Sequence, residues 1–243
     1  MAECGERNHK ERGVAVGEKV TYVSNGSTAD GYLAVPSNGA AGAPAVLVIQ
    51  EWWGLVPHIQ DVADRFAAEG YTALAPDLYH GASTREPDEA GKLMMGLAMD
   101  QAGRDMAGAA TYLTAELGCG AVGAVGFCMG GSLALWSATL SDAIVATAGF
   151  YPALPWEKMS PTWSRYEGKA AVIHCSEGDG TSSADGIQAA RAGIEAAGGT
   201  VTLYDYPGTE HAFFNDARPE VHAADASGLA WRRTLALFSD HLR

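Results

Sequence analysis

Apolar residues follow two alternating patterns along this chain. Some short runs are apolar throughout, such as residues 45–49, which is the pattern of a strand buried on both faces of a sheet. Other stretches repeat their apolar residues every three to four positions, as Ile59, Val62 and Phe66 do before Gly70, a typical helix C-cap. The two patterns predict strands at 19–24, 28–35, 45–49, 71–75, 121–127, 143–150, 170–175 and 200–206, and helices at 57–69, 105–117, 129–140, 183–197 and 222–242.

The order of these elements predicts the fold class. After the first two strands, strands alternate with helices, so most of the sheet should be parallel and covered by helices on both faces. The first two strands flank Asn25-Gly26, a typical hairpin turn. Residues 77–100 are expected to be less regular than the rest of the chain. Residues 1–14 are polar and are predicted to form a loose tail, whereas 15–243 are predicted to form a single α/β domain.

Charge and composition exclude several classes of partner. The 243 residues include 16 Lys and Arg against 29 Asp and Glu, so the net charge is −13, which disfavours binding to nucleic acid. No apolar run approaches the roughly 18 residues of a membrane span, and no segment resembles a signal peptide. We therefore expect a cytoplasmic protein with no membrane partner. The four cysteines do not form a disulfide pattern, and the histidines lack metal-ligand spacing, so no metal and no cofactor is expected.

A glycine-rich turn around Cys128 is the strongest chemical signal in the sequence. Gly126-Phe127-Cys128-Met129-Gly130 lies between a predicted strand and a predicted helix. A nucleophile at such a tight bend needs small flanking residues. The helix that begins at Met129 would also favour the thiolate of Cys128 through the positive end of its dipole. The pattern alone is equally typical of a glycine-rich turn that holds a buried, inert cysteine.

An acidic residue and a histidine follow Cys128 in the order that α/β hydrolases use. Asp179 comes just after the seventh predicted strand, and His211 follows the eighth. Both loops should lie at the same end of the sheet as Cys128. His211 would then pair with the thiolate and shuttle its proton, while Asp179 would hold the imidazole in the productive tautomer. Glu177 is an alternative acid, and ordinary surface-loop positions are the other interpretation of these residues.

Four motifs give the chain a resemblance to a known family. They are Gln50-Glu51-Trp52-Trp53-Gly54, Ala75-Pro76-Asp77-Leu78-Tyr79, Gly126-Phe127-Cys128-Met129-Gly130-Gly131 and His211-Ala212-Phe213-Phe214. Together they resemble the dienelactone hydrolase family, whose members have the α/β-hydrolase fold and a Cys-His-Asp triad. The resemblance runs over residues 20–242. It implies that Glu51 contacts the resting cysteine and moves when substrate binds, and that the N–H groups of Met129 and Trp52 form the oxyanion hole.

The chain departs from this family where the substrate is held. Family members that hydrolyse dienelactone bind its carboxylate with two arginines, and the matching positions here are His80-Gly81 and Asn215. The resemblance therefore implies an ester hydrolase without the bidentate anion clamp. Arg85 and Arg218 are expected to be solvated surface charges unless their loops bend toward the site. The candidate substrate contacts are Trp53, Tyr79, His80, Phe213 and Asn215.

These residues predict a cofactor-independent hydrolase of small carboxylic esters or lactones. Cys128 would attack the carbonyl carbon to form an acyl-enzyme, and His211 would activate the water that hydrolyses it. The expected partner is a small-molecule substrate, and the protein is expected to be a monomer or a small homo-oligomer. Two other functions fit the sequence: a ligand-binding protein that has lost turnover, and a redox sensor in which Cys128 is oxidised.

Overall fold

The strands of the protein form one mixed sheet. The computed structural model of the chain describes residues 17–24 and 26–243. Its strands are β1 (Glu18–Ser24), β2 (Ser27–Ala34), β3 (Ala45–Ile49), β4 (Thr72–Pro76), β5 (Val122–Phe127), β6 (Ile144–Phe150), β7 (Ala170–Gly178) and β8 (Thr200–Glu210). They are ordered β1-β2-β4-β3-β5-β6-β7-β8, with β2 antiparallel to both of its neighbours and all other pairs parallel. The α/β fold class predicted from the sequence is confirmed.

Helices cover both faces of this sheet. In the described residues they are α1 (Pro57–Ala68), α2 (Pro87–Gly96), α3 (Met99–Thr111), α4 (Met129–Ser137), α5 (Ala184–Ala196) and α6 (Ala224–Leu242). On one face α1 packs against α6, with the rings of Phe66 and Phe238 5.9 Å apart. A Cβ built on Gly123 of β5 would approach the Phe238 ring, whereas one on Gly126 would meet the backbone of α4. Because residues three apart on a strand point to opposite faces, α4 lies on the other side.

The last two strands extend beyond the ends that their hydrophobic patterns predict. The sequence predicts strands at 170–175 and 200–206, but β7 ends at Gly178 and β8 at Glu210. These extensions are mostly exposed, so burial gives them no apolar signature. Gly178 pairs with Glu210 after an irregularity in the register, and Asp179 and His211 therefore leave neighbouring strands side by side.

The segment 77–100, for which the sequence predicts no helix, contains α2 and the start of α3. Ala90, Leu93, Met94 and Leu97 have helical spacing, but this apolar stripe is short, and Ala90 is the one fully buried residue within α2 itself. Its N-terminal signals are Pro87 at the first helical position and acidic residues in the first turn. Helix α3 likewise begins at Met99, six residues before the predicted start at residue 105.

Two predictions concern residues outside the described ranges. The loose tail at 1–14 and Asn25 of the hairpin turn are among these residues. The pairing of β1 with β2 on either side of that turn is antiparallel, as predicted. Within 17–24 and 26–243, no helix is both long enough and apolar enough to cross a membrane.

Candidate active site

Cys128 lies on a strained turn between β5 and α4. Its φ is +56°, a left-handed conformation that is costly for a residue with a side chain. The turn closes tightly, because a Cβ on Gly126 would lie 2.0 Å from the carbonyl oxygen of Gly130. A Cβ on Gly130 would in turn lie 2.4 Å from the carbonyl oxygen of Gln50. The glycines of the motif are thus required by space, and the turn places Cys128 at the carboxyl end of the central strand.

Two backbone N–H groups are available near Cys128. Met129 is the first residue of α4, so its N–H has no acceptor within the helix. Trp52 follows the end of β3, the strand next to β5, and no acceptor for its N–H is found among the described residues. Its indole packs edge-on against that of Trp53, with ring centroids 4.9 Å apart. Donors from adjacent strand ends are the arrangement that an oxyanion hole requires.

His211 and Asp179 form a hydrogen-bonded pair beside Cys128. The distance from His211 Nδ1 to Asp179 Oδ2 is 2.9 Å, and the Asp179 side chain is 5% exposed. Thr181 orients the other carboxylate oxygen, donating to Asp179 Oδ1 from its backbone N–H at 2.8 Å and from its hydroxyl at 2.6 Å. Ser176 donates to Oδ2 at 3.1 Å. The alternative acid, Glu177, instead accepts from a backbone N–H at the turn in β8.

The electrostatics of this pair favour a charged imidazole. Burial alone would lower the pKa of His211, but hydrogen bonds to Asp179 and Cys128 raise it to about 10. Burial would likewise raise the pKa of Asp179, yet its bonds with His211 and Thr181 hold it below the usual value. Cys128 is 8% exposed, so its sulfur is largely desolvated. The arrangement places a charged imidazole, the imidazolium of His211, beside this sulfur.

Glu51 is a buried carboxylate at the end of β3, and only 2% of it is exposed. Its Oε2 accepts a hydrogen bond of 2.9 Å from Nδ2 of Asn215. Burial raises the pKa of Glu51, while His211, Asn215 and Arg218 all act in the opposite direction. One N–H of the Asn215 amide therefore holds Glu51.

Two other candidate substrate contacts lie elsewhere. Nε2 of His80 is 3.1 Å from Oδ2 of Asp105, a fully buried carboxylate on α3, so the imidazole is turned toward the helix. Phe213 is completely buried and packs against Tyr206, with ring centroids 4.9 Å apart. Tyr79 remains a candidate, because its hydroxyl lies 3.5 Å from Sδ of Met129. Burial, followed by the charge of Cys128, raises its pKa.

Tyr151 is a site residue that the sequence analysis missed. It follows β6, which pairs with β5, and its φ of +37° turns it beneath the site. Its ring centroid is 4.9 Å from that of His211. Burial, then the charges of Glu51 and Cys128, raise its pKa well above the usual value, and its buried hydroxyl has no hydrogen-bond partner. Its position after a strand adjacent to the nucleophile's strand was the available signal.

A cavity of about 480 Å³ opens beside Asn215. It is lined by Trp53, Asn215, Arg85 and Arg218, together with residues at the start of α1. Arg218 pairs with Glu220 at 3.0 Å, whereas Arg85 has no carboxylate within 4.0 Å among the described residues. The two arginines, expected to be solvated surface charges, thus border one cavity.

The sequence and structure place the chain among known proteins. A profile of the family described as "Dienelactone hydrolase family" matches residues 29–242. The chain belongs to the dienelactone hydrolase family. The family and the hydrolase class predicted from the sequence are therefore confirmed. The described residues contain no group of three or more His, Cys, Asp or Glu side chains placed to hold a metal ion.

Relatives match this dienelactone hydrolase family member over nearly its whole length. Protein usf of Aquifex pyrophilus is 32% identical, over 93% of this chain and 100% of the relative. A protein of Aquifex aeolicus, provisionally named a carboxymethylenebutenolidase, is 30% identical over 94% and 100%. Among solved structures, a provisionally named dienelactone hydrolase from Klebsiella pneumoniae superposes with a TM-score of 0.82 at 26% identity, covering 92% of this chain and 98% of that one.

Proposed function

We propose that the protein hydrolyses small carboxylic esters or lactones through a Cys128–His211–Asp179 triad and an acyl-enzyme. The observation that carries this proposal is the 2.9 Å bond between His211 Nδ1 and Asp179 Oδ2, in an imidazole whose pKa is also raised by Cys128. A nucleophile, a base and the group that orients the base are thereby brought together. Family membership supports the reaction class.

The reaction begins from a thiolate on Cys128 and a proton on His211. Sγ attacks the carbonyl carbon, and the electron pair displaced to oxygen is stabilised by the N–H groups of Met129 and Trp52. Collapse of this intermediate breaks the bond to the alkoxide, which takes the proton from Nε2 of His211. The products of this step are a thioester on Cys128 and an alcohol, which in a lactone stays tethered to the acyl group.

Hydrolysis of the thioester restores the enzyme. Neutral His211 removes a proton from water, whose oxygen attacks the thioester carbonyl, and the same two N–H groups stabilise the second oxyanion. Collapse of this intermediate breaks the C–S bond and releases the carboxylic acid, which leaves a thiolate on Cys128 and the proton on His211. Asp179 keeps the imidazole in the required tautomer throughout. We assign to Glu51 the role that the family resemblance implies, which is to contact the resting Cys128 and withdraw when substrate binds.

The cavity beside Trp53 supports a narrower statement about the substrate. A group that carries a carboxylate would meet Arg85 and Arg218 there, although Glu220 partly neutralises Arg218. The sequence predicts no gain in kcat/KM from a carboxylate on the substrate, since both positions of the family's anion clamp lack arginine. The arginines that line the cavity instead favour a modest gain in kcat/KM for a substrate that carries a carboxylate.

Cys128→Ala should abolish turnover of short 4-nitrophenyl esters and unsaturated lactones while leaving the fold intact. Cys128→Ser should be nearly as poor, because a hydroxyl is not ionised in this setting as a thiol can be. Cys175→Ala is the matched control: burial raises the pKa of that thiol to about 11, so it should not react.

A second measurement follows the acyl-enzyme itself. Acid quenching during turnover should reveal, by mass spectrometry, one acyl group on the peptide that contains Cys128, and prior alkylation with iodoacetamide should remove both the adduct and turnover. If Cys128→Ala keeps more than a few per cent of the wild-type kcat, Cys128 is not the nucleophile. Tight binding of these esters without any turnover would point instead to a ligand-binding protein.

A further inference from the structure

Asp216 ties the loop after β8 to helix α1. Its carboxylate forms an ion pair with Arg65, and its Oδ1 lies 3.3 Å from Nδ1 of His58. These two α1 residues are seven positions apart, so they lie on one face of the helix, two turns from each other. The His58 side chain is 3% exposed and packs near the rings of Phe127 and Phe214.

The residue before Asp216 is the one that holds Glu51. Asn215 donates from Nδ2 to Glu51, and its Oδ1 accepts from the N–H of Ala217 at 3.1 Å. Together the two bonds fix the orientation of the amide, because a rotated amide would lose both of them. Asp216 stands between Asn215 and Ala217, so its contacts with α1 fix the turn that orients the amide.

Helix α1 also follows directly from the segment that carries Glu51. Turn hydrogen bonds join the N–H of Gly54 to the carbonyl of Glu51 at 3.3 Å, and the N–H of Val56 to the carbonyl of Gly54 at 2.8 Å. The helix begins at the next residue, Pro57. Both ends of the Glu51–Asn215 hydrogen bond are therefore positioned relative to α1.

We propose that Asp216 is a positioning residue: through its contacts with Arg65 and His58 it places Asn215 so that the amide holds Glu51 beside Cys128. This proposal rests on the role that the proposed function gives to Glu51. No contact between Asp216 and the substrate is required. Without the contacts of Asp216 with Arg65 and His58, the turn at residues 215–217 is free to move. Asn215 then releases Glu51, and Glu51 no longer has a single position beside the resting Cys128.

The charges around Asp216 favour a contact with Arg65 that persists at neutral pH. Burial would raise the pKa of Asp216, but the Arg65 guanidinium holds it below the usual range. Burial lowers the pKa of His58, so a neutral imidazole faces the carboxylate at neutral pH. Asp61, one turn away on α1, shares the Arg65 guanidinium but is not adjacent to Asn215. It therefore provides a control.

The test is a double-mutant cycle on ester hydrolysis. Asn215→Ala and Asp216→Asn should each lower kcat about tenfold, the effect of losing one hydrogen bond to a charged group, with KM changed less than twofold. The double variant should be no slower than Asn215→Ala alone, because Asp216 acts through Asn215. Asp61→Asn should leave kcat unchanged. Arg65→Met removes the cation that pairs with Asp216, so it should lower kcat to the same extent. Combined with Asn215→Ala, it should likewise cause no further fall.

The measurements are made at a temperature at which circular dichroism shows every variant folded. The proposal is overturned if the effects of Asn215→Ala and Asp216→Asn on kcat multiply in the double variant. It is also overturned if kcat is unchanged in both Asp216→Asn and Arg65→Met. A fall in thermal stability with unchanged kcat would assign Asp216 a structural role only, and also overturns it. The wild-type protein separates this failure from that of the proposed function. If it hydrolyses no ester, the proposed function fails, whereas an active wild type with unaffected Asp216 variants refutes the positioning role alone.

Discussion

The charge on His211 is set by two neighbours, and the pH dependence of the reaction should report it. Acylation needs the imidazolium to protonate the leaving alkoxide, so kcat/KM should fall as the pH rises through the His211 pKa of about 10. Asp179→Asn removes the anionic partner, which lowers that pKa and moves the alkaline limb at least one unit toward neutral. It should also cost about 100-fold or more in kcat, because the tautomer is no longer fixed.

Glu177→Gln is the control for this prediction. Glu177 is the alternative acid in the sequence, but its carboxylate accepts from the N–H of Gly208. Its loss should leave the rate and the alkaline limb unchanged. A silent Asp179→Asn together with an impaired Glu177→Gln would show that the acid has been assigned to the wrong residue. His211→Ala should lose several orders of magnitude in rate.

Individual contacts were the hardest part of the site to predict from the sequence. Cys128, Asp179 and His211 could be selected because chain order and strand ends place them at one edge of the sheet. The directions of the side chains could not be predicted, because they depend on local backbone angles. His80 and Tyr151 both have positive φ values, which turn His80 toward Asp105 and bring Tyr151 beneath His211. Positive φ is uncommon for residues other than glycine, so the sequence alone does not locate such angles.

At the level of elements, the turn between β5 and α4 should tolerate no side chain at its first glycine. In Gly126→Ala the new methyl group would meet the Gly130 carbonyl oxygen at 2.0 Å, a backbone atom that cannot rotate away. We expect a loss of about 3 kcal/mol or more in the free energy of unfolding, and hence a fall in Tm of roughly 6–12 °C.

Gly120→Ala, just before β5, is the matched control, since its Cβ would have 3.9 Å of clearance. Thermal unfolding followed by circular dichroism compares the two variants directly. A Gly126→Ala protein with the wild-type Tm and full ester turnover would show that the turn is looser than its geometry indicates.

Elements were predicted well wherever burial marks them. The strands at the centre of the sheet have continuous apolar sequences, and β3 matches its predicted bounds. Helix α2 was missed because it buries only Ala90 completely, and its apolar stripe is only about two turns long. The extensions of β7 and β8 were missed for the same reason, since hydrogen bonding alone, without burial, leaves no mark on the apolar pattern.

For the whole molecule, the net charge of −13 and the two cavity arginines act on an anionic substrate in opposite directions. A desolvated arginine–carboxylate contact is worth about 1.5–3 kcal/mol. Because Arg85 is exposed and Arg218 is shared with Glu220, we expect a smaller preference here, roughly three- to tenfold in kcat/KM for a carboxylate-bearing lactone over its methyl ester.

Salt and substitution separate the two effects. Raising the ionic strength screens the long-range repulsion, so the preference for the acid should grow or hold, whereas Arg85→Ala together with Arg218→Ala should abolish it. Lys92→Ala, a cation that lines a different cavity, serves as the control. Equal kcat/KM values for acid and ester at every salt concentration would show that the cavity does not receive the substrate's anion.

The paired ends of β7 and β8 have a consequence for recombination between relatives. Asp179 and His211 leave strands whose last paired residues are Gly178 and Glu210, so the spacing of acid and base is contained within one two-stranded unit. A chimera that exchanges residues 170–211 as a block should carry a correctly spaced pair into a new host. A crossover inside α5 would instead join a strand from one parent to a strand from another, and any mismatch in their register would separate the two side chains.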